Sequence, residues 1–246
     1  MGKQKKCNLG VVVNTNWGEV IDCHGNISWK KQNCNYLFCA DNRGIIANEE
    51  SKREEVVSEK GCQLPVEERE PNQTIIEIHS IEQFLEIVRQ INLGDPFYYK
   101  GNYKLLEDLD LQGMKWTPIG YSEQHPFSGT FDGNGHSVKN ILIHGSYKSC
   151  VGFFGCLKNA KIHHVSIEGT MKGGRYTGSL AGVSSDSCIQ ACFSSAKVIG
   201  SHCVGGFVAE NRGRIAHCYF SGIVQHRRVI LSRINDINVV KNNLCY

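Results

Sequence analysis

The sequence predicts an all-β protein folded as a parallel β-helix, a solenoid with turns of about 26 residues and a capping α-helix near residues 80–93. Three observations carry that prediction. First, Val151-Gly152-Phe153-Phe154-Gly155, Thr177-Gly178-Ser179-Leu180-Ala181-Gly182 and Val204-Gly205-Gly206-Phe207-Val208-Ala209 open successive units, and their glycines at 152, 178 and 205 recur at 26 and 27 residues. Second, each unit then reaches another apolar run, at Ile162–Val165, Ile189–Cys192 and Ile215–Cys218. Third, Asn-x-Gly followed two residues on by Val or Ile recurs at Asn16-Trp17-Gly18, Asn42-Arg43-Gly44 and Asn211-Arg212-Gly213. Units of this kind bury their apolar face only against neighbouring copies of themselves, so the repeat fixes the architecture.

The first element, residues 1–48, already carries the repeat and is expected to form N-terminal solenoid coils. Asn and Gly tolerate left-handed backbone, so Asn-x-Gly before a strand reads as a tight corner. Residues 49–73 read as a charged helix and linker. Asn48 can cap the helix and Gly61 can end it, eight Glu face four Lys or Arg between Glu49 and Glu70, and Pro65 and Pro71 mark the linker. The capped solenoid is expected to span 74–226. It opens with a strand at Thr74–Ile78 and a capping box at Ser80-Ile81-Glu82-Gln83. Phe84, Ile87, Val88 and Ile91 then form one apolar stripe, and Gly94 with Asp95-Pro96 ends the helix. A solenoid leaves the face of its first coil open, and a one-sided helix just upstream is a natural lid.

Short strands with glycine corners follow. Leu105-x-x-Asp108-Leu109-Asp110-Leu111 leads to Trp116-Thr117-Pro118-Ile119-Gly120, then to Phe127-Ser128-Gly129-Thr130-Phe131-Asp132-Gly133-Asn134-Gly135-His136, and then to the Val-Gly units. This order resembles the GLUG-motif repeat domains of bacterial surface and secreted proteins, which also occur as non-catalytic modules in some IgA-specific metallopeptidases. The resemblance covers about residues 75–225, and Phe-Asp-Gly-Asn-Gly-His is its most specific part. It implies a right-handed parallel β-solenoid serving as a stalk, spacer or adhesive module at the cell surface or outside it. Two features depart from the pattern: about two coils precede the capping helix, and the chain is rich in cysteine. After Val224 the repeat stops, and residues 227–246 read as a tail or final cap.

The N-terminal coils have two expected placements. They form a separate stub, or they stack beyond Val224 and extend the column from Cys218 to Cys23. The second covers an unpaired sheet edge, and some 25 extended residues reach roughly 85 Å, so the connection permits it.

Composition bounds the function classes. The 246 residues, 41% hydrophobic and 21% charged, suit a globular protein with ample core, and 26 glycines against 5 prolines suit many tight turns. A net charge of +3 does not indicate nucleic acid, and no apolar run is long enough to span a membrane. Lys3 to Lys6 precede an apolar run that Asn14 cuts short, which makes a poor secretory signal. With the cysteines, this points to the cytoplasm or to a fragment, against the surface location the resemblance implies. The 12 cysteines contain no Cys-x-x-Cys pair. Cys192 and Cys218 share a register with Val165, and Cys150 and Cys203 share one with Tyr176. Exchange with Val favours reduced, buried thiols over disulfides, with metal binding last.

No catalytic constellation stands out. Asp108, Asp110 and Asp132 are the carboxylates a sugar-cleaving enzyme could use, with Asp110 and Asp132 the best pair. Asp108 and Asp110 share the outer face of a strand, however, and Asp132 sits in a turn that should bond its own backbone. Trp116, Tyr121 and Phe127 are candidates to stack on a sugar, or else to pack near the cap. His163, His164, His202 and His217 are too scattered for a metal cluster, so no metal site and no cofactor is expected. The leading expectation is a non-enzymatic module for adhesion, ligand presentation or rigid spacing, with a protein or polysaccharide partner. The alternatives are a carbohydrate-active lyase or hydrolase and an intracellular assembly protein. Oligomeric state and ligand are not legible.

Overall fold

The computed structural model describes residues 7–21, 23–25, 34–47, 74–144 and 149–226. The expected charged helix and linker and the expected tail fall outside the described residues. Among those described, strands form an 11-stranded, an 8-stranded and a 3-stranded sheet. Every strand pairing in them is parallel.

The register explains the repeat. Strand Ala181–Gln190 pairs with Phe154–Lys158 and Lys161–His163 on one side and with Val208–Ala216 on the other, so equivalent residues of successive units lie in columns. One column runs Ile76, Tyr103, Phe131, Ile162, Ile189, Ile215, Val20, Ile46. From Tyr103 to Val20 its side chains are at most 2% exposed. Hydrogen-bonded neighbours sit about 4.8 Å apart, so each apolar side chain packs on its counterpart, and volume rather than identity is what the position selects. The 3-stranded sheet aligns Cys150, Tyr176 and Cys203, and next to it Val151, Thr177 and Val204. The repeated glycines follow directly, with Gly178 N–H bonded to the Val151 carbonyl and Gly205 N–H to that of Thr177.

The N-terminal strands stack beyond residue 208. Cys7–Asn16 pairs with Val208–Ala216, and Glu19–Ile21 pairs with the same strand further along. Cys34–Asn42 and Ile45–Ala47 add one more row. Cys23 therefore lies beside Cys218, whose N–H reaches the Cys23 sulfur at 3.4 Å.

Asparagine fixes this junction. Asn16 and Asn211 are fully buried register partners, and the Asn211 amide donates to Asn16 Oδ1 at 2.9 Å. Each also accepts the N–H of the glycine two residues on, at 3.2 and 3.1 Å. The reason for those glycines differs from the sequence expectation. Gly18, Gly44 and Gly213 are not left-handed; a Cβ on any of them would collide with the backbone of the adjoining row. The left-handed corner lies elsewhere, at His164, Ala191 and His217, with φ of 53°, 50° and 53°.

The helix Ile81–Leu93 sits where the sequence places it. Ser80 Oγ accepts Gln83 N–H, and Gly94 ends the helix at φ 83°. The reciprocal bond is shifted by one residue from a standard capping box: Gln83 Oε1 accepts from His79 N–H at 2.9 Å, while its amide nitrogen donates to the Glu77 carbonyl. The helix is thereby tied to the strand Ile75–Ile78, the last in the sheet path. Phe84, Ile87, Val88 and Ile91 are its buried face, and Phe84 stacks against Trp116 and Phe153. A second short helix, Pro96–Tyr99, follows with Asp95 as its N-cap.

Cys23, Cys150, Cys156, Cys188, Cys192, Cys203 and Cys218 are free, and all but Cys203 are buried. Burial, with Cys192 and Cys23 alongside, pushes the Cys218 thiol well above its ordinary range. It is an inert packing group at neutral pH.

Candidate functional site

The three aspartates singled out from the sequence are each committed to local bonds. Asp108 accepts Lys139 Nζ at 2.8 Å and Ser137 N–H at 2.9 Å, which hold its carboxyl well below the usual range. Asp110 accepts the Asn140 amide and the Gln112 N–H, both at 2.8 Å, and these also lower it. Carboxyls held this way stay ionised at neutral pH, whereas the proton donor of a glycosidase needs a raised value. Asp132 accepts Asn134 N–H at 2.8 Å, the local turn bond the sequence predicts.

The aromatic candidates separate. Trp116 is 4% exposed and stacks on both Phe84 and Phe153 at centroid distances of 5.4 and 5.5 Å, and its indole N–H donates to the Phe153 carbonyl. Phe127 is fully buried against Tyr103 and Phe154. Tyr121 keeps a ring that solvent reaches.

Two constellations that the sequence reading missed are brought together. The first is a corner. Asp132 and His163 are register partners on adjacent strands, and His164 follows in the left-handed position. His163 Nδ1 lies 3.1 Å from Asp132 Oδ1, and His164 Nδ1 lies 3.7 Å from the same oxygen. The two Nδ1 atoms are 3.1 Å apart. Desolvation is the largest influence on His163 and lowers its pKa. His217 shares the corner conformation of His164 with Ala191 between them, and His202 instead contacts Ser201.

The second constellation is a groove of about 520 Å³ whose wall includes Lys100, Lys158, Lys161, Tyr99, Asn102 and Asn159. Lys158 ends one strand, Asn159 turns the chain at φ 54°, and Lys161 begins the next strand in register with Thr130. Lys100 closes the short helix, with its ammonium 5.7 Å from the Tyr99 ring centre. The wall contains no carboxylate. Three lysines lining one concavity without a carboxylate give it a positive character. Sequence reasoning missed them because Lys100 is distant along the chain from Lys158 and Lys161 and meets them only in the fold.

Parallel strands in register, glycine-dependent close approach and a helix over the end of the sheet path define a β-repeat protein. More particularly, residues 200–225 match the family model of the GLUG motif, in keeping with the resemblance drawn from the sequence. The chain is also similar to Halomucin of Haloquadratum walsbyi (strain DSM 16790 / HBSQ001), 32% identical over 104 residues. That alignment takes in 40% of this chain and 1% of the length of Halomucin. No solved structure matches the chain. No helix among the described residues is long and apolar enough to cross a membrane.

Proposed function

We propose that the chain is a non-catalytic module of surface type, a right-handed parallel β-solenoid with coils of about 26 residues, which binds an acidic polysaccharide in its lysine-walled groove and holds it on a rigid scaffold. In this reading residues 74–226 are the capped solenoid, residues 1–48 supply the coils stacked beyond it, 49–73 link the two and 227–246 form a tail. The GLUG motif and the similarity to Halomucin support a surface-type repeat module. The observation that carries the ligand class is the groove: three lysines, amide side chains and a tyrosine ring, with no acidic group in the wall. Uronate or sulfate groups would pair with the ammonium groups, while Asn102 and Asn159 offer hydrogen bonds to hydroxyls. Tyr121, exposed elsewhere on the surface, is a secondary contact.

Binding of a polyuronate and of its neutral, carboxyl-reduced counterpart, measured by calorimetry at two salt concentrations, tests this. The acidic polymer should bind, weaken with salt and be lost in Lys158→Gln/Lys161→Gln, while the neutral polymer should not bind. Equal binding of both polymers, binding untouched by the double variant, or release of new reducing ends would overturn the reading. Retention of a protein ligand alone would overturn the polysaccharide assignment.

A further inference from the structure

We infer that Asp132, His163 and His164 form a binding site for one divalent transition-metal ion. The inference is independent of the groove and rests on the corner alone. Asp132 Oδ1, His163 Nδ1 and His164 Nδ1 make a triangle with edges of 3.1, 3.1 and 3.7 Å. A tetrahedral ion with ligands at about 2.0–2.1 Å spaces its donors about 3.3 Å apart, so this triangle is the size of one face of such a site.

The chemistry of the three atoms points the same way. Each ring nitrogen carries either a hydrogen or an in-plane lone pair, while Asp132 Oδ1 serves as an acceptor. With one Nδ1 protonated, the other Nδ1 still sets its lone pair against Asp132 Oδ1, and with both protonated the two N–H groups face each other. A cation at the centre satisfies all three at once. Two imidazoles and one carboxylate suit zinc, cobalt, nickel or copper rather than calcium or magnesium, which take oxygen donors.

The corner is also built to hold this geometry. Asn134 N–H fixes Asp132 Oδ1 at 2.8 Å. Gly133 N–H and Gly135 N–H bond the carbonyls of His163 and His164, both at 2.8 Å. The Asp132–His136 turn is thus pinned onto the backbone that carries both rings. A Cβ at Gly133 would collide with His164 and Val165, so this approach needs glycine. Lys161, two residues before His163, places a positive charge nearby, and the Asp132 carboxylate offsets it. The His164 side chain is 54% exposed, which leaves the outer side of the ion open to water or to a ligand oxygen. Because Asp132 belongs to one row and the histidines to the next, the ion would also tie two rows together.

Cobalt(II) titration of chelator-treated, reduced full-length protein tests this and separates the corner from the thiols. One equivalent should bind with visible ligand-field absorption, without the strong near-ultraviolet sulfur-to-cobalt band that thiolate ligation produces, and should raise the melting temperature. His163→Gln/His164→Asn should weaken binding by more than the roughly 10–100-fold that loss of an outer-shell partner costs. Asparagine is chosen at 164 because it tolerates the left-handed backbone there. His217→Asn, at the same corner two rows away, should bind as the parent does, and an unchanged far-ultraviolet spectrum shows that the variants fold. Absence of binding by the parent, equal binding by the double variant, or a sulfur-to-cobalt band at the first equivalent would overturn the inference.

Discussion

The two ends of the central column are filled differently. Beside the helix it holds Tyr103 and Phe131; further along it holds Ile162, Ile189, Ile215 and Val20. The neighbouring column changes in the same way, from Phe154 to Ala181, Val208 and Val13. In mid-stack every neighbour above and below is a copy at strand spacing, so medium aliphatic groups fill the space. At the helix end one neighbour is a cylinder whose side chains do not follow that spacing. Large rings bridge the mismatch: Phe84, Trp116, Phe131, Phe153 and Phe154 meet at centroid distances of 5.0 to 6.3 Å. Stacking a repeat on itself is a register problem, whereas ending it is a packing problem.

The sharpest way to break this contrast is Phe153→Ala. It removes the ring that touches four other aromatic side chains, and it should cost about 3–5 kcal/mol in urea unfolding. A loss no larger than that of an aliphatic trim such as Ile189→Val, about 0.5–1.5 kcal/mol, would erase the distinction. At the other end, Asn211→Ala strips Asn16 of its buried amide partner and should cost about 1–3 kcal/mol. Hydrogen exchange should locate that loosening in residues 7–25 and 208–220 and leave the helix end protected. Ser80→Ala should cost about 1 kcal/mol through the lost cap and loosen the helix alone.

The smallest effect is acid lability. Asp108 is depressed in the folded state, first by Lys139 and then by Ser137, so its contribution is complete above the ordinary aspartate range and disappears as pH falls through and below it. The pair is half exposed, so the term is about 0.2–1 kcal/mol. Asp108→Asn should flatten the stability profile below pH ~4 by that amount, measured by denaturant midpoints.

What was legible in the chain follows the same division. The helix, its cap and its apolar stripe depend on residues within four positions of each other, and they were readable. The columns from 151 to 224 were readable because the period barely varies, and the Asn-x-Gly signal extended them to the N-terminus. The Asp132 corner was not, because 31 positions separate Phe131 from its partner Ile162 where 27 separate Ile162 from Ile189, so no spacing rule pairs Asp132 with His163. The lysine groove was hidden for the same reason, since its walls come from three distant segments. Trp116 and Phe127 look alike to composition whether they pack or bind, and only the rings that meet them, Phe84 and Phe153 on Trp116 and Tyr103 and Phe154 on Phe127, decide it. The glycines of Asn-x-Gly were found for an incomplete reason: the sequence shows where glycine recurs, but not whether a torsion or a neighbouring backbone demands it.

Stacking order and chain order disagree in this molecule, and that has a consequence for biogenesis. The strand Cys7–Asn16 is translated well before its partner Val208–Ala216, with Asn16 and Val208 192 positions apart in the chain. Until that partner emerges, the nascent strand carries an unsatisfied backbone edge beside Val-rich sequence. A factor that shelters it, or a translation rate that shortens the wait, therefore bears on yield separately from the stability of the finished fold.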